Sequence, residues 1–124
     1  MKLLIVDDSN IMRRAINKYL KDFNLDIVGT AGDGEAAINL CEVNKPDLVT
    51  LDITMPKMDG LTCLTEILKI SPTTKVLIIS ALKDNATGLQ ALKKGAMGFL
   101  PKPFTPKELQ EEIRLICGES IWKN

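Results

Sequence analysis

The chain has 124 residues, of which 45% are hydrophobic and 26% are charged, a composition typical of one globular domain with its own core. Lysine and arginine number 16, as do aspartate and glutamate, so the formal net charge is zero and no basic field favours nucleic acid. No apolar stretch approaches the roughly 20 residues of a membrane-spanning helix. The sequence contains no histidine, which is the commonest general base.

The first half of the chain alternates short apolar runs with helix-like stretches. A predicted strand over about residues 2–7 precedes a helix that is capped by Ser9. The buried face of this helix is expected to include Ile11. A second strand over 26–31 leads through the turn 32–34 to a helix over about 35–43. The third strand, 48–52, ends at Asp52. Alternation of this kind predicts parallel strands joined by crossover helices.

The second half repeats the same alternation. Residues 53–60 form a connection longer than the roughly two to six residues that are usual before a helix. A third helix, a strand over 76–80, a weakly apolar helix over about 84–94 and a strand over 98–101 follow. The last helix begins with a cap at Thr105, a proline at its first position and Glu108 at its third. The alternation predicts that residues 1–124 form a single doubly wound α/β domain, in which residues 118–124 are a short tail.

Polar side chains stand at the predicted carboxyl ends of four strands. Asp7 and Asp8 follow the first strand, Asp52 ends the third, Ser80 ends the fourth and Lys102 follows the fifth. Because ligands bind at the carboxyl ends of parallel strands, these side chains are expected to lie together. Three carboxylates, a hydroxyl and an amine in one pocket predict a divalent cation and a phosphoryl group.

The residue types suit phosphoryl chemistry. Mg²⁺ prefers oxygen ligands and keeps several waters, so one or two carboxylates and a phosphate suffice. An aspartate, with a reference pKa of roughly 3.9, is ionised at pH 7, so Asp52 needs no general base. Lys102 supplies positive charge and Ser80 a hydrogen-bond donor. Taken singly, Asp8 suits a helix cap and Ser80 a strand-end cap, and only their joint occurrence favours a site.

Four segments occur along the chain in this order: Val6-Asp7-Asp8-Ser9, residues 51–60, Ser80-Ala81 and Lys102-Pro103-Phe104. Together they resemble the receiver domain of two-component response regulators, and the resemblance covers about residues 2–117. The type that the chain resembles most is the single-domain chemotaxis regulator. The resemblance implies a flavodoxin-like sheet of five parallel strands in the order 2-1-3-4-5 with five helices.

The resemblance also implies a phosphoacceptor and a metal site. Asp52 would accept a phosphoryl group from a histidine kinase. Mg²⁺ would be held by Asp7, Asp8, Asp52 and the backbone carbonyl of Thr54.

The remaining implied roles concern the response to phosphorylation. Ser80 and Lys102 would contact the phosphoryl group, and Ser80 would move toward it. Phe99 occupies the aromatic switch position, and the bond between Lys102 and Pro103 is expected to be cis. Serine and phenylalanine stand here where threonine and tyrosine are commoner in the family, and Phe99 judged without the family is a core residue.

The implied function is a phosphorylation-activated signalling switch. Its face formed by helix 4, strand 5 and helix 5 would regulate a downstream protein, such as a flagellar motor switch protein or another chemotaxis protein. The domain would catalyse only its own phosphorylation and dephosphorylation, so it is not expected to be an enzyme. We expect a cytoplasmic monomer with no nucleic-acid partner and no membrane insertion, in which the three cysteines are reduced thiols.

Three alternatives stay open. The chain resembles, over residues 2–61, the receiver of chemotaxis methylesterases, so it is alternatively a receiver from a multidomain regulator. A phosphatase with an aspartate nucleophile uses the same residue types, but commonly has a second aspartate two residues later, where this chain has Thr54. A phosphorylation-independent interaction module would contain the same acids without using them.

Overall fold

The computed structural model describes residues 1–54, 58–81 and 85–121, with the side chain of Asn85 outside this set. The predicted start of the fourth helix at residue 84 and the end of the tail from residue 122 lie outside the described residues.

Strands and helices alternate along the described part of the chain. The strands are β1 (Lys2–Val6), β2 (Asp26–Ala31), β3 (Leu48–Asp52), β4 (Lys75–Ser80) and β5 (Gly98–Pro101). The helices are α1 (Asn10–Tyr19), α2 (Gly34–Asn44), α3 (Gly60–Ile70), α4 (Asn85–Lys93) and α5 (Pro106–Cys117). A short 3₁₀ helix over Glu119–Ile121 follows α5.

The five strands form one parallel sheet in the order β2-β1-β3-β4-β5, which confirms the predicted fold. In this sheet Val6 of β1 stands opposite Leu51 of β3. Asp52 stands opposite Ile79 of β4, whose next residue, Ser80, stands opposite Pro101 of β5. The carboxyl ends of β1, β3, β4 and β5 therefore lie side by side at one edge.

Side-chain caps fix where the helices begin. The hydroxyl of Ser9 accepts from the N–H of Met12 at 3.2 Å, as predicted for α1. Thr105 and Glu108 form the predicted capping box at α5, with distances of 3.1 Å and 2.8 Å. Each such cap contributes about 1 kcal/mol to stability and favours a helix that begins at that residue.

The sheet is covered on both faces. All five residues of β3 are buried, which explains why its sequence is mostly apolar, with Leu48, Val49 and Leu51, rather than an alternation. One core lies on the side of α2 and α3 and includes Leu4, Val6, Val49, Leu51, Leu64, Ile67, Val76 and Ile78. The other lies on the side of α1 and α5 and includes Leu3, Ile5, Ile16, Leu48, Leu77, Leu109 and Ile113.

One expectation about apolar packing needs correction. Ile11, expected on the buried face of α1, is 82% exposed. In α4, Ala91 is buried, whereas Leu89 and Leu92 are 55% and 47% exposed. The α4 helix therefore attaches to the domain by a narrow contact.

The segment after α5 is more than a tail. Ile121 is buried in the core on the α1 and α5 side, and its carbonyl accepts a hydrogen bond of 2.8 Å from the N–H of Asn24. Residues 119–121 of the predicted tail are thus packed against the rest of the domain.

A buried hydroxyl in β3 has no hydrogen-bond partner among the described residues. Thr50 is 1% exposed and stands between Ile5 of β1 and Leu77 of β4 in the sheet register, and its buried Oγ1 has no partner within the described part of the chain. Burying an unpaired hydroxyl costs about 1–3 kcal/mol. We expect Thr50→Val to raise the free energy of unfolding, measured in urea, by about 1 kcal/mol.

A matched threonine provides the control for that measurement. The hydroxyl of Thr74 is also buried, but it donates to the Pro46 carbonyl at 2.6 Å and lies 2.8 Å from the Ser71 hydroxyl. Thr74→Val should therefore lower stability by about 1–2 kcal/mol. Equal losses in both variants would contradict the assignment of an unsatisfied group at Thr50.

Candidate functional site

Three aspartates meet at the carboxyl edge of the sheet. Asp7 follows β1 and Asp52 ends β3, and both are only 1% exposed, whereas Asp8 is exposed to solvent. One carboxylate oxygen from each of the three lies within 4.8 Å of the other two. The structure therefore brings together the acids that the strand pattern predicted, and it leaves them open to solvent on the side of Asp8.

Lys102 reaches into this cluster from the end of β5. Its Nζ lies 2.8 Å from Asp7 Oδ2 and 3.5 Å from Asp52 Oδ2. Its backbone N–H donates to the Ser80 carbonyl at 2.7 Å, and its bond to Pro103 is cis, as expected. The ammonium group thus bridges the two buried carboxylates.

The charges around Asp7 are unbalanced. Burial raises the pKa of the Asp7 carboxyl above its usual value, and this effect outweighs the hydrogen bonds from Lys102 and from the Ser9 N–H. Burial works against the charged form of Lys102 as well, but Asp7 and Asp52 together raise the pKa of its ammonium group. Among the described residues, Lys102 forms salt bridges with two of the three carboxylates, and a bound cation would relieve the repulsion among all three.

Thr54 fixes the carboxylate of Asp52. Its N–H and its hydroxyl both donate to Asp52 Oδ1, at 2.9 Å and 2.6 Å, while Asp52 Oδ2 faces Lys102. The sequence pointed only to the Thr54 carbonyl and missed this role of the hydroxyl. The available signal was the spacing, since side chains at this separation often bond to nearby backbone groups.

Arg13 is a second residue that the sequence analysis missed. Its Nη1 donates to the Asp7 carbonyl at 2.5 Å and lies 3.3 Å from where a Cβ on Gly32 would stand. The guanidinium group therefore supports the peptide that joins Asp7 to Asp8. One signal was present in the sequence, because Arg13 follows Ser9 by about one helical turn and so shares its side of α1.

The two residues expected to respond to phosphorylation lie on β4 and β5. Ser80 is fully buried at the end of β4. Phe99 of β5 is half-buried and packs against the core on the α2 and α3 side. Its ring also faces Gly88 of α4, since an ideal Cβ on Gly88 would lie 3.4 Å from the nearest ring carbon. Phe99 therefore lies between the sheet and the weakly attached α4.

Comparison with known proteins gives a consistent family. The profile of the response regulator receiver domain matches residues 3–114. The chemotaxis protein CheY of Listeria monocytogenes is 42% identical over 113 residues, which cover 91% of this chain and 95% of that protein. The crystal structure of a complex of CheX and CheY with BeF₃ and Mg²⁺ from Borrelia burgdorferi superposes with a TM-score of 0.90 at 36% identity. That match covers 94% of this chain and 88% of the other.

The chain belongs to the response regulator receiver domain family, whose members act in phosphorylation-dependent signalling. Receiver domains of this type are signalling phosphoacceptors rather than catalytic enzymes, they bind Mg²⁺ at their acidic site, and they work with kinase and effector partners.

Within that family, similarity to CheY is favoured over similarity to the receiver of a methylesterase. A protein-glutamate methylesterase of Archaeoglobus fulgidus is 43% identical over 130 residues, and the match covers 98% of this chain and 37% of that protein. In the part of the chain that the structure describes, helices of the length and apolarity needed to cross a bilayer are absent.

Proposed function

We propose that this receiver is switched by transfer of a phosphoryl group to the carboxylate of Asp52. One observation supports this assignment above the others. Asp52 ends the central strand, is buried, and lies close both to the Lys102 ammonium group and to two further carboxylates. An ionised carboxylate in this position can attack phosphorus directly, and the ammonium group can stabilise the negative charge of the phosphoryl oxygens.

The same cluster suits Mg²⁺. The donors are carboxylate oxygens, which this hard cation prefers, and the exposed side at Asp8 allows it to keep several waters. We assign Asp7, Asp8, Asp52 and the backbone carbonyl of Thr54 as its protein ligands. When bound, Mg²⁺ would neutralise the charge of the acids and of the phosphoryl oxygens. The Borrelia burgdorferi complex, which contains Mg²⁺ and BeF₃, supports this assignment.

The response follows from the contacts of Lys102 and Ser80. A phosphoryl group adds about −1.5 to −2 charge at Asp52, so it would compete with Asp7 for the Lys102 ammonium group. Lys102 is tied to the Ser80 carbonyl, and Phe99 lies three residues earlier on the same strand. A change there would reach α4 through the contact of Phe99 with Gly88. We therefore propose that the face formed by α4, β5 and α5 changes its population of conformations.

The partners are proposed from the relatives. We propose a histidine kinase upstream, as the receiver family implies, and a chemotaxis protein downstream, in keeping with the names of the CheY relatives and of the complex of CheX with CheY. We also propose that the domain works in the cytoplasm. The balanced charge, with 16 basic and 16 acidic residues, favours a protein partner over nucleic acid. We propose that the domain works as a monomer.

Intact-mass spectrometry after incubation with acetyl phosphate tests the proposed function. We expect a single phosphoryl adduct that requires Mg²⁺, is prevented by a chelator, and lies on the peptide that contains Asp52. Labelling that is independent of Mg²⁺, or that lies on another peptide, would contradict the assignment. Multiple-turnover hydrolysis of a small phosphomonoester would instead favour the phosphatase alternative.

A further inference from the structure

Gly34 and Met58 touch where α2 begins. An ideal Cβ on Gly34 would lie 2.6 Å from Met58 Cβ, 3.0 Å from its Sδ and 3.1 Å from its Cγ. An ordinary contact is 3.4–4 Å, and the nearest atom is Met58 Cβ, which moves only with its backbone. Gly34 is buried as the first residue of α2, so only glycine leaves Met58 room at this position.

Met58 belongs to the segment that returns from β3 to α3. Two residues later, Gly60 opens α3, and its own ideal Cβ would lie 2.2 Å from the Cα of Ile53. Ile53 directly precedes Thr54 and directly follows the phosphoacceptor. Two close approaches therefore link α2 to the end of β3: Gly34 lies against the side chain of Met58, and Gly60 lies against the backbone of Ile53.

We propose that Gly34 is a positioning residue for the phosphorylation site, because its missing side chain lets Met58 pack against α2 and so fixes Thr54 beside Asp52. This role rests on the proposed function of Asp52. Thr54 makes two hydrogen bonds to that carboxylate and is the assigned source of a backbone ligand for Mg²⁺. A displacement of about 1 Å in such groups can cost on the order of a hundredfold in rate.

Gly34→Ala tests this role directly. The added methyl carbon would lie about 0.8 Å closer to Met58 Cβ than an ordinary contact allows, so the segment that contains Met58 must shift. We expect the rate of phosphorylation by acetyl phosphate to fall at least tenfold, and the Mg²⁺ concentration for half-maximal rate to rise. Each rate is divided by the fraction of folded molecules, which circular dichroism measures. A merely structural role predicts no such loss, since alanine favours a helix more than glycine does.

A second background separates the contact from a general loss of folding. Met58→Gly removes all three atoms that a methyl group on Gly34 would meet. In the Met58→Gly background, Gly34→Ala should therefore be neutral or should raise the rate, opposite to its effect in the wild type. This comparison holds even where the single variant Gly34→Ala does not fold.

A matched control comes from another glycine that faces α2. An ideal Cβ on Gly29 of β2 would meet the methyl ends of Leu40 at 3.3 Å and 3.4 Å, and such side-chain ends can give way. Gly29→Ala should keep the wild-type rate of phosphorylation.

The outcomes separate the two proposals. Gly34→Ala with the wild-type rate, or an equal loss in the wild-type and Met58→Gly backgrounds, would overturn the positioning role while leaving the proposed function intact. A wild-type chain and a Gly29→Ala variant that both take up no phosphoryl group would overturn the proposed function and the positioning role with it.

Discussion

Asp52→Asn should abolish the Mg²⁺-dependent phosphoryl adduct. Asparagine keeps the shape of the side chain and still offers an oxygen to the two donors of Thr54, but its amide is not a nucleophile. It also removes one of the three carboxylates that are assigned to Mg²⁺. We expect labelling by acetyl phosphate to fall by at least a hundredfold, with the circular dichroism spectrum unchanged.

Asp59→Asn is the matched control for this loss. Asp59 lies seven residues later and caps α3, where its Oδ1 accepts from the Leu61 N–H at 3.3 Å. Asparagine is an equally good cap, so this variant should fold and accept a phosphoryl group at the wild-type rate. A labelled Asp52→Asn chain would mean that another carboxylate is the acceptor.

The sheet and the position of the acids follow from the sequence because strong local patterns determine them. A strand buried on both faces is mostly apolar, as at Leu48–Asp52, where three of the five residues are leucine or valine, and the helices between such strands force parallel pairing. Once the strands are parallel, Asp7 and Asp52 must end at the same edge, far apart in sequence though they are.

Other features depend on distances that no local pattern encodes. Gly34 and Met58 meet only because α2 and α3 pack together, so the turn residues around Gly34 suggested nothing beyond a turn. Ile11 is apolar at a helical spacing, but periodicity assigns a face without saying how far along the helix the sheet extends. Ile121 is buried because it joins a core formed by residues distant in sequence, and its carbonyl accepts a hydrogen bond from the Asn24 N–H.

Lys102→Met should destabilise the metal-free domain by about 3 kcal/mol at pH 7. Removing the ammonium group leaves Asp7 and Asp52 buried without their cation, and breaking such a pair costs about 3–5 kcal/mol. The lower value is appropriate because the Lys102 side chain is 17% exposed. Urea unfolding in the presence of a chelator measures the loss. Lys107→Met, at an exposed lysine in the first turn of α5, should change stability by less than about 0.5 kcal/mol.

The sign of the pH dependence identifies the cause. Burial already raises the pKa of Asp7 in the folded state, and Lys102, which lowers it, is absent from the variant. The folded variant therefore binds the Asp7 proton more tightly than the unfolded chain does, and this contribution to stability is lost as the pH rises through the folded pKa. Relative to the wild type, Lys102→Met should regain stability as the pH falls from 7 toward 5.

Saturating Mg²⁺ at pH 7 should also stabilise the variant more than the wild type, because no ammonium group competes for Asp7. A deficit that is independent of both pH and Mg²⁺ would instead assign Lys102 a packing role through its aliphatic chain, with no part in balancing the charge of the acidic cluster.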